Sequence, residues 1–368
     1  MIRKEHKAMK VIVPIIIFFL GCAAMYGAIM SFPKIFNTTI TKLEKSVTIT
    51  DEGIADSVEK VYDAVVVVSN YKDNKLYSTG TGFVFKKDNK VAYILTNNHV
   101  ISGGSKVSVT FTDGRVVETE VIGSNILSDI AVLSVDAKDI ISVAELGKSD
   151  DLRVGDTVFA VGAPLDSVYS WTVTRGILSG KDRMVEVSLS QNSGDYVMKV
   201  LQTDAAINSG NSGGPLCNSN GEIIGITSLK LVDESVEGMG FAIPIEVAVS
   251  YGEKLIAGEI IVQPYLGISM LNVTDAYYYS QYYHMLNQYE ISSGVIVVSV
   301  EDGTPAAKAG LKPGDVIIKV DNNNTTSVGY LRYYLYNHNI GDKVSISFIR
   351  EGKVKTTDII LGSGQKTY

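Results

Sequence analysis

The chain has 368 residues, a formal net charge of −7 and 45% hydrophobic residues. This length allows two or more domains, each with its own apolar core. The first ten residues carry four basic side chains and one acidic side chain, a charge of +3, so the rest of the chain sums to −10. An acidic body without a basic cluster argues against nucleic-acid binding.

Residues 11–30 contain no charged side chain and are almost entirely apolar. About 20 such residues are enough for one helix to cross a bilayer. Basic side chains precede the segment and are scarce just after it, so we expect residues 1–10 in the cytoplasm and the later domains outside it. We therefore predict a single transmembrane helix at 11–31 that anchors the chain in the cell membrane. A cleaved signal peptide is the alternative.

The chain has two cysteines, Cys22 in this apolar segment and Cys217 much later. Phe19-Leu20-Gly21-Cys22 resembles a bacterial lipoprotein cleavage site, at which the cysteine receives a lipid, although the apolar run continues beyond it. Two cysteines so far apart do not predict a disulfide framework. We expect Cys217 to be a small buried residue rather than a nucleophile.

Residues 32–55 mix polar and charged side chains without sustained periodicity, which predicts a linker. From Val58 to Ile243, short apolar or alternating runs are separated by Gly, Asp, Asn and Lys turns, a pattern typical of a mainly β sandwich or barrel. Residues 244–257 then follow the spacing of an amphipathic helix that Gly258 ends. The first globular domain is therefore predicted at 56–258.

Ser212 lies in the run Gly210-Asn211-Ser212-Gly213-Gly214-Pro215, which favours a sharp turn with one hydroxyl facing outward. A serine nucleophile needs a base at neutral pH, usually an imidazole. Of the four histidines, His99 alone shares the predicted β domain with Ser212. The N–H groups of Gly210 and Ser212 are the candidate donors to an oxyanion. An ordinary Ser-Gly turn and a structural histidine are the alternatives.

The third member of such a site is a carboxylate that orients the imidazole. Asp129 stands at a polar-to-apolar transition, where an acid at the start of a buried strand is costly unless it is paired. Asp204 is the rival, but it precedes Ser212 on the same segment and is better suited to bracing that loop. A turn or capping role for Asp129 is the alternative.

The order His99, Asp129, Ser212 is that of the chymotrypsin-like clan. Three blocks resemble the signature blocks of the HtrA/DegP serine proteases: Thr96–Val100 (TNNHV), Ser128–Leu133 (SDIAVL) and Thr203–Leu216 (TDAAINSGNSGGPL). The resemblance extends over nearly everything after residue 55. It implies a double β-barrel serine endopeptidase, forming a homotrimer, that degrades unfolded or misfolded polypeptides outside the cytoplasm.

Asn211 stands where digestive proteases of the clan have an aspartate that pairs with a new N-terminus, so activation by such a cleavage is not expected. The resemblance implies instead that loops order around the site, and the polar segments 180–195 and 230–238 are the candidates. It also implies a first substrate pocket that favours small or medium aliphatic side chains. The residues assigned to this pocket are Ile207, Ile226, Thr227 and Ser228.

The segment Tyr265-Leu266-Gly267-Ile268 begins the second domain, predicted at 259–362 with a tail at 363–368. An apolar-Gly-apolar turn before a strand presents N–H groups to the terminal carboxylate of a peptide. Together with later segments it resembles an α+β PDZ domain of the HtrA type, which implies that C-terminal peptides bind there. A domain that only packs on the protease is the alternative.

Tyrosines crowd residues 276–290, which we expect to form a half-buried helix covering the second core; a protein-contacting surface is the alternative. His338 is expected to have a structural role. The sequence has no local His or Cys cluster with metal-ligand spacing, so neither a metal nor a cofactor is expected. Two further functions remain open: a chaperone or PDZ peptide sensor with incidental proteolysis, and a PDZ scaffold with an inert protease-like body.

Overall fold

The computed structural model describes residues 16–26, 51–162, 171–187, 196–228 and 238–364. Residues 16–26 form a helix, α1, with exposed apolar side chains such as Phe18 at 67%. The ends of the predicted transmembrane segment, and the predicted cytoplasmic residues 1–10, lie outside the described ranges. Within those ranges, no helix has both the length and the apolar character needed to cross a membrane.

A helix, α2, spans Asp51–Tyr62. Ile54 and Val61 are buried in the main core and Val58 packs against it, a spacing that places all three on one helix face. The Ser57 hydroxyl donates to the carbonyl oxygen of Ser219 at 2.6 Å. The prediction of a linker up to residue 55 is therefore corrected, because this apolar face binds the helix to the barrels; residues 32–50 lie outside the described ranges.

Two closed six-stranded barrels follow, which confirms the mainly β, double-barrel prediction. The first barrel has the strand order β1-β2-β3-β6-β5-β4, and its strands are β1 (Val65–Lys72), β2 (Lys75–Lys87), β3 (Val91–Asn97), β4 (Lys106–Thr110), β5 (Val116–Asn125) and β6 (Ile130–Asp136). The second has the order β10-β11-β12-β9-β8-β7, and its strands are β7 (Thr157–Gly162), β8 (Thr172–Val187), β9 (Tyr196–Thr203), β10 (Pro215–Asn218), β11 (Ile223–Thr227) and β12 (Gly240–Pro244). Short helical turns lie at Asn98–Ile101 (α3) and Ser149–Asp151.

Both faces of several strands are buried, because the barrels have separate interiors and share an interface. In β6, Ile130 and Val132 belong to a core formed with residues of the second barrel, whereas Ala131 and Leu133 belong to the interior of the first. Successive side chains of a strand point to opposite faces. Continuous apolar runs therefore mark strands that reach the interface between the barrels, where the candidate site lies.

One predicted loop is a strand. Residues 180–187 were expected to be irregular, but they form the second half of β8 and pair with β9. Met184 and Val185 pair with Lys199 and Met198, so polar composition there reflects an exposed strand face rather than a loop. The remainder of that candidate loop, 188–195, and most of the other, 230–237, lie outside the described residues.

The predicted helix after the second barrel is α4, Ile245–Ile256. Gly258 has a φ of 71°, and its N–H donates to the carbonyl of Leu255 at 3.0 Å. The N–H of Glu259 donates to the carbonyl of Lys254 at 2.9 Å. These two bonds form a Schellman motif, which explains why a glycine ends the helix.

The α+β domain that follows has a sheet of order β14-β15-β16-β18-β19, with β17 paired to β16, and a separate pair β13-β20. Its strands are β13 (Pro264–Tyr265), β14 (Ile268–Asn272), β15 (Val295–Val300), β16 (Val316–Val320), β17 (Asn323–Asn324), β18 (Lys343–Arg350), β19 (Lys353–Ile360) and β20 (Gly362–Ser363). Its helices include α5 (Val273–Ala276), α6 (Ser280–Gln288), α7 (Pro305–Lys308) and α8 (Val328–Tyr336). The predicted tail began at 363, but Ser363 still pairs with Pro264.

The tyrosine-rich segment begins at the end of α5 and contains α6. Tyr277, Tyr282 and Tyr289 pack on a small core beneath it, whereas Tyr278 is 90% exposed. The expectation of a half-buried helical cover agrees with this placement. The imidazole Nε2 of His338 lies 3.1 Å from Oδ2 of Asp321, a contact within the domain.

Candidate active site

His99 lies where the chain leaves β3 and enters α3. Its imidazole Nδ1 is 2.8 Å from Oδ2 of Asp129, and its main-chain N–H donates to Oδ1 of the same carboxylate at 3.0 Å. The side chain of Asp129 is 1% exposed and that of His99 is 30% exposed. One edge of the imidazole is therefore held by a buried carboxylate while the ring stays accessible from outside.

Asp129 lies just before β6 with a φ of 54°, a left-handed conformation that aspartate adopts more readily than most residues. Its carbonyl oxygen accepts from Nδ2 of Asn97 at 2.9 Å and from the N–H of Asn98 at 3.0 Å. Its Oδ2 also accepts from the hydroxyl of Ser228 at 3.1 Å. A buried carboxylate is costly unless it is hydrogen-bonded. These contacts offset that cost and hold the strained backbone against the end of β3.

Ser212 lies in the loop between β9 and β10. The N–H of Asn211 donates to the carbonyl of Asn208 at 3.0 Å, which closes a turn just before the serine. Gly210 and Gly213 have φ values of 100° and 84°, which favour glycine. A Cβ on Gly213 would also lie 2.2 Å from a neighbouring carbonyl oxygen. The loop therefore requires glycine for both conformation and space.

The Ser212 loop and the His99 segment meet at Gly80 in β2. A Cβ on Gly80 would lie 2.7 Å from the side chain of Val100 and 2.9 Å from the carbonyl oxygen of Ser212. A Cβ on the glycine that follows Ser212 would lie 3.0 Å from the main-chain nitrogen of Asn97. The missing side chains let the two segments approach, so the first barrel supplies the imidazole and carboxylate and the second supplies the serine.

Asp204, the rival carboxylate, has a different partner. Its Oδ1 accepts from the main-chain N–H of Ile177 in β8 at 2.6 Å. A Cβ on Gly176 would lie 2.2 Å from the same oxygen, so the carboxylate is pressed against that strand. Asp204 therefore braces β8 at the base of the serine loop, as the sequence suggested.

The four residues assigned to the first substrate pocket lie beside the site with different surroundings. Ile226 is fully buried in the core between the barrels, and Ile207 is 7% exposed in the interior of the second. The Thr227 hydroxyl donates to the carbonyl of Asn211 at 2.6 Å, and that of Ser228 donates to Asp129. The side chain of Ile226 therefore packs in the core, and the hydroxyls of Thr227 and Ser228 form hydrogen bonds within the site.

Sequence reasoning did not assign roles to Thr81 or to the hydroxyls of Thr227 and Ser228. Thr81 donates through its main chain to Ser212 and through its hydroxyl to Gly210. These residues lie between 13 and 131 positions from their partners, as in Thr227 to Gly214 and Thr81 to Ser212. A single hydroxyl in an apolar strand gives no local signal of such a partner.

Cys217 is fully buried in β10, and burial raises the pKa of its thiol. A thiol held protonated is a poor nucleophile. Among the described residues, no group of three or more His, Cys, Asp or Glu side chains is arranged to hold a metal ion.

A second candidate site is the cleft between β14 and α8, with a volume of about 180 Å³. The residues lining it are Pro264, Tyr265, Leu266, Gly267, Ile268, Met270, Arg332, Leu335 and Tyr336. Gly267 has a φ of 84°, and a Cβ there would lie 2.3 Å from the side chain of Thr304. All four residues predicted to bind peptides thus border one groove, and glycine is required at its turn.

The loop carbonyls at this groove are turned away from it. The carbonyl of Leu266 accepts from the N–H of Ala306 at 2.9 Å, and that of Gly267 accepts from the N–H of Glu301 at 3.0 Å. In a trans peptide the N–H points opposite to the carbonyl. The N–H groups of Gly267 and Ile268 therefore point away from Ala306 and Glu301, toward the side on which a ligand would lie.

Comparison with known proteins identifies the two domains in which these candidate sites lie. A trypsin-like peptidase domain matches residues 80–226, and a PDZ domain matches residues 264–361. Serine protease Do-like HtrB of Bacillus subtilis (strain 168) is 39% identical, covering 84% of this chain and 70% of the relative. Serine protease Do-like HtrA of Lactococcus lactis subsp. lactis (strain IL1403) is 39% identical, covering 84% of this chain and 82% of the relative.

Solved structures give the same result. The serine endoprotease from Yersinia pestis is 32% identical with a TM-score of 0.62, covering 85% of this chain and 98% of that one. The HtrA-type protease AlgW with decapeptide is 27% identical with a TM-score of 0.65, covering 85% and 99%. With a matching peptidase domain, a matching PDZ domain and relatives of this similarity over most of its length, the chain belongs to the HtrA/Do-like family of serine proteases.

Proposed function

We propose that this serine protease cleaves polypeptide chains through Ser212 as nucleophile, with His99 as general base and Asp129 as the residue that orients it. The observation that carries the proposal is the 2.8 Å contact between His99 Nδ1 and Asp129 Oδ2. This contact leaves the far nitrogen of the imidazole, Nε2, for the serine hydroxyl. The meeting of the two segments at Gly80 supports the same arrangement.

In the proposed reaction, the Ser212 oxygen attacks the scissile carbonyl while His99 Nε2 takes the hydroxyl proton. The carbonyl oxygen becomes an oxyanion that accepts from the N–H groups of Gly210 and Ser212. His99 then gives the proton to the leaving amine, and an acyl-enzyme remains. Water, deprotonated by His99, releases it. General-base catalysis contributes about 10²–10⁴-fold, and loss of one oxyanion donor costs about 10²–10³-fold.

A fluorophosphonate probe tests this assignment. It is expected to label the wild-type chain at one site, the peptide containing Ser212, because only an activated serine attacks the phosphorus. Labelling is measured by mass spectrometry in the presence of casein, and casein cleavage is expected to cease as labelling proceeds. Labelling at another serine, or casein cleavage that survives complete labelling of Ser212, would contradict the proposal.

We also propose that the chain is anchored by residues 11–31 in the cell membrane, with its domains outside the cytoplasm. The uncharged run at 11–30 and the basic residues before it support this topology. The exposed side chains of Ile17, Phe18 and Leu20 on α1 are apolar, as a lipid-facing helix requires. Removal of unfolded or misfolded polypeptides by a homotrimer rests on the family resemblance alone, and so does a pocket for small or medium aliphatic side chains. The positions Ile207 and 226–228 carry no acid that would attract lysine or arginine.

For the cleft between β14 and α8, we propose capture of C-terminal peptides. β14 ends the order of the described sheet, with β15 on one side and α8 on the other, so an extended peptide can add as a further strand. The turned N–H groups of Gly267 and Ile268 then meet the terminal carboxylate. Apolar side chains on both walls, such as Met270 and Leu335, suit an apolar last residue.

A pair of peptides tests this binding mode. A labelled ten-residue peptide with an apolar last residue is expected to bind at least about tenfold more tightly as the free acid than as the C-terminal amide, because the amide loses a charge-assisted contact. Fluorescence anisotropy with the uncleaving Ser212→Ala chain measures both. Ile268→Ala in the groove should weaken binding of the acid peptide, and Val298→Ala, at an exposed position of β15, serves as its control. Equal affinity for acid and amide would contradict the proposal.

A further inference from the structure

Thr81 in β2 is fully buried and lies between the elements that carry the imidazole and the serine. Its hydroxyl donates to the carbonyl of Gly210 at 2.7 Å, and its N–H donates to the carbonyl of Ser212 at 2.8 Å. Its own carbonyl accepts from the hydroxyl of Thr96 in β3 at 2.7 Å. One residue of the first barrel thus contacts the serine loop twice and the strand leading to His99 once.

The hydroxyl contact restrains one peptide group. The Gly210–Asn211 peptide has its carbonyl held by Thr81 and its N–H held by the carbonyl of Asn208. Gly210 has no Cβ and a φ of 100°, so its own conformational preference does little to fix the orientation of this peptide. Turning the peptide over would break both hydrogen bonds and leave a buried carbonyl without the Thr81 hydroxyl. The hydroxyl therefore selects one orientation of the loop.

We propose that Thr81 is a positioning residue for catalysis: its hydroxyl fixes the carbonyl of Gly210, and with it the loop position from which the N–H of the same residue faces the developing oxyanion. The inference rests on the proposed roles of Ser212 and Gly210. Thr81 itself touches neither the substrate nor the reacting atoms. Its effect is exerted through the loop, across the interface between the two barrels.

The fold alone does not require this hydroxyl. Thr81 pairs with Val67 through the β1-β2 ladder, which uses main-chain groups. A buried strand position is served equally well by an apolar β-branched residue such as valine. A hydroxyl that donates to a loop 129 residues away is therefore explained by what it does to that loop.

The variants Thr81→Ser and Thr81→Ala separate the hydroxyl from the methyl group, since both lose the methyl and only one keeps the hydroxyl. With a peptide substrate, kcat of Thr81→Ala is expected to be about 10- to 100-fold below that of Thr81→Ser, with KM changed less than about twofold. Affinity for a peptide boronate, whose tetrahedral adduct uses the oxyanion site, should fall in parallel. Affinity for the substrate itself, measured in the Ser212→Ala background, should not change.

Thr119→Ala is the matched control, because Thr119 donates from β5 to the carbonyl of Val107 at 3.1 Å, within the first barrel and away from the serine loop. It should keep wild-type kcat. If Thr81→Ala does not fold, as judged by thermal unfolding, Thr81→Val replaces it in the comparison with Thr81→Ser. Equal kcat for the serine and hydroxyl-free variants overturns the inference. Full activity of Ser212→Ala would instead overturn the proposed function, whatever Thr81 does.

Discussion

Ser212→Ala is expected to lower kcat for casein and for peptide substrates by about 10⁶-fold, to the residual rate that binding and the oxyanion site provide. The replacement removes the attacking oxygen and little else. Ser212 is 4% exposed in a loop held by main-chain hydrogen bonds, so the alanine variant should fold with an unchanged unfolding midpoint. Steady-state rates with a chromogenic peptide and gel analysis of casein measure the loss.

Ser219→Ala is the control, because Ser219 is exposed in the turn between β10 and β11 and lacks an imidazole partner in the proposed mechanism. It should retain wild-type kcat.

The same Ser212→Ala chain discriminates between the two other functions considered for the sequence. Suppression of protein aggregation with wild-type potency would favour a chaperone, and peptide capture as its sole remaining activity would favour a scaffold. Casein cleavage by Ser212→Ala at more than a trace rate would contradict the nucleophile assignment.

The parts of this fold that the sequence predicted are those with a local pattern. Short apolar runs predicted the strands of both barrels, and Gly258 predicted the end of α4 through its left-handed conformation. His99 was identified because it alone of the histidines shares the predicted β domain with Ser212, and Asp129 because it stands at a polar-to-apolar transition; the structure places their side chains 2.8 Å apart.

The parts that the sequence did not predict depend on contacts between distant segments. Residues 180–187 form a strand because β9 pairs with them, and polar composition concealed this. The helix α2 began earlier than the predicted end of the linker because Ile54 packs on a core built from both barrels. The Ser228 hydroxyl reaches Asp129 across 99 residues, a pairing that only the closed second barrel brings about.

Asp129→Asn is expected to lower kcat by about 10⁴-fold while leaving the geometry of the site nearly intact. The Asp129 carboxylate accepts from His99 Nδ1 and the Ser228 hydroxyl at Oδ2, and from the His99 N–H at Oδ1. An asparagine amide in the same position must turn its NH₂ toward one of these donors. If it faces Nδ1, the imidazole takes the tautomer with its proton on Nε2, which can no longer accept from Ser212. If the amide NH₂ faces the main-chain N–H of His99, two donors face each other and no hydrogen bond forms between them.

Asp204→Asn provides the matched comparison, because Asp204 Oδ1 accepts from the main-chain N–H of Ile177, which an amide oxygen can equally satisfy. Its kcat is expected to stay within a few-fold of wild type. Both variants should keep the wild-type KM and unfold at similar temperature, since each substitution preserves shape. Comparing kcat of the two variants therefore isolates the effect of a negatively charged acceptor on the imidazole. A kcat for Asp129→Asn as high as that for Asp204→Asn would show that His99 does not depend on Asp129 for its tautomer, and the proposed triad would be wrong.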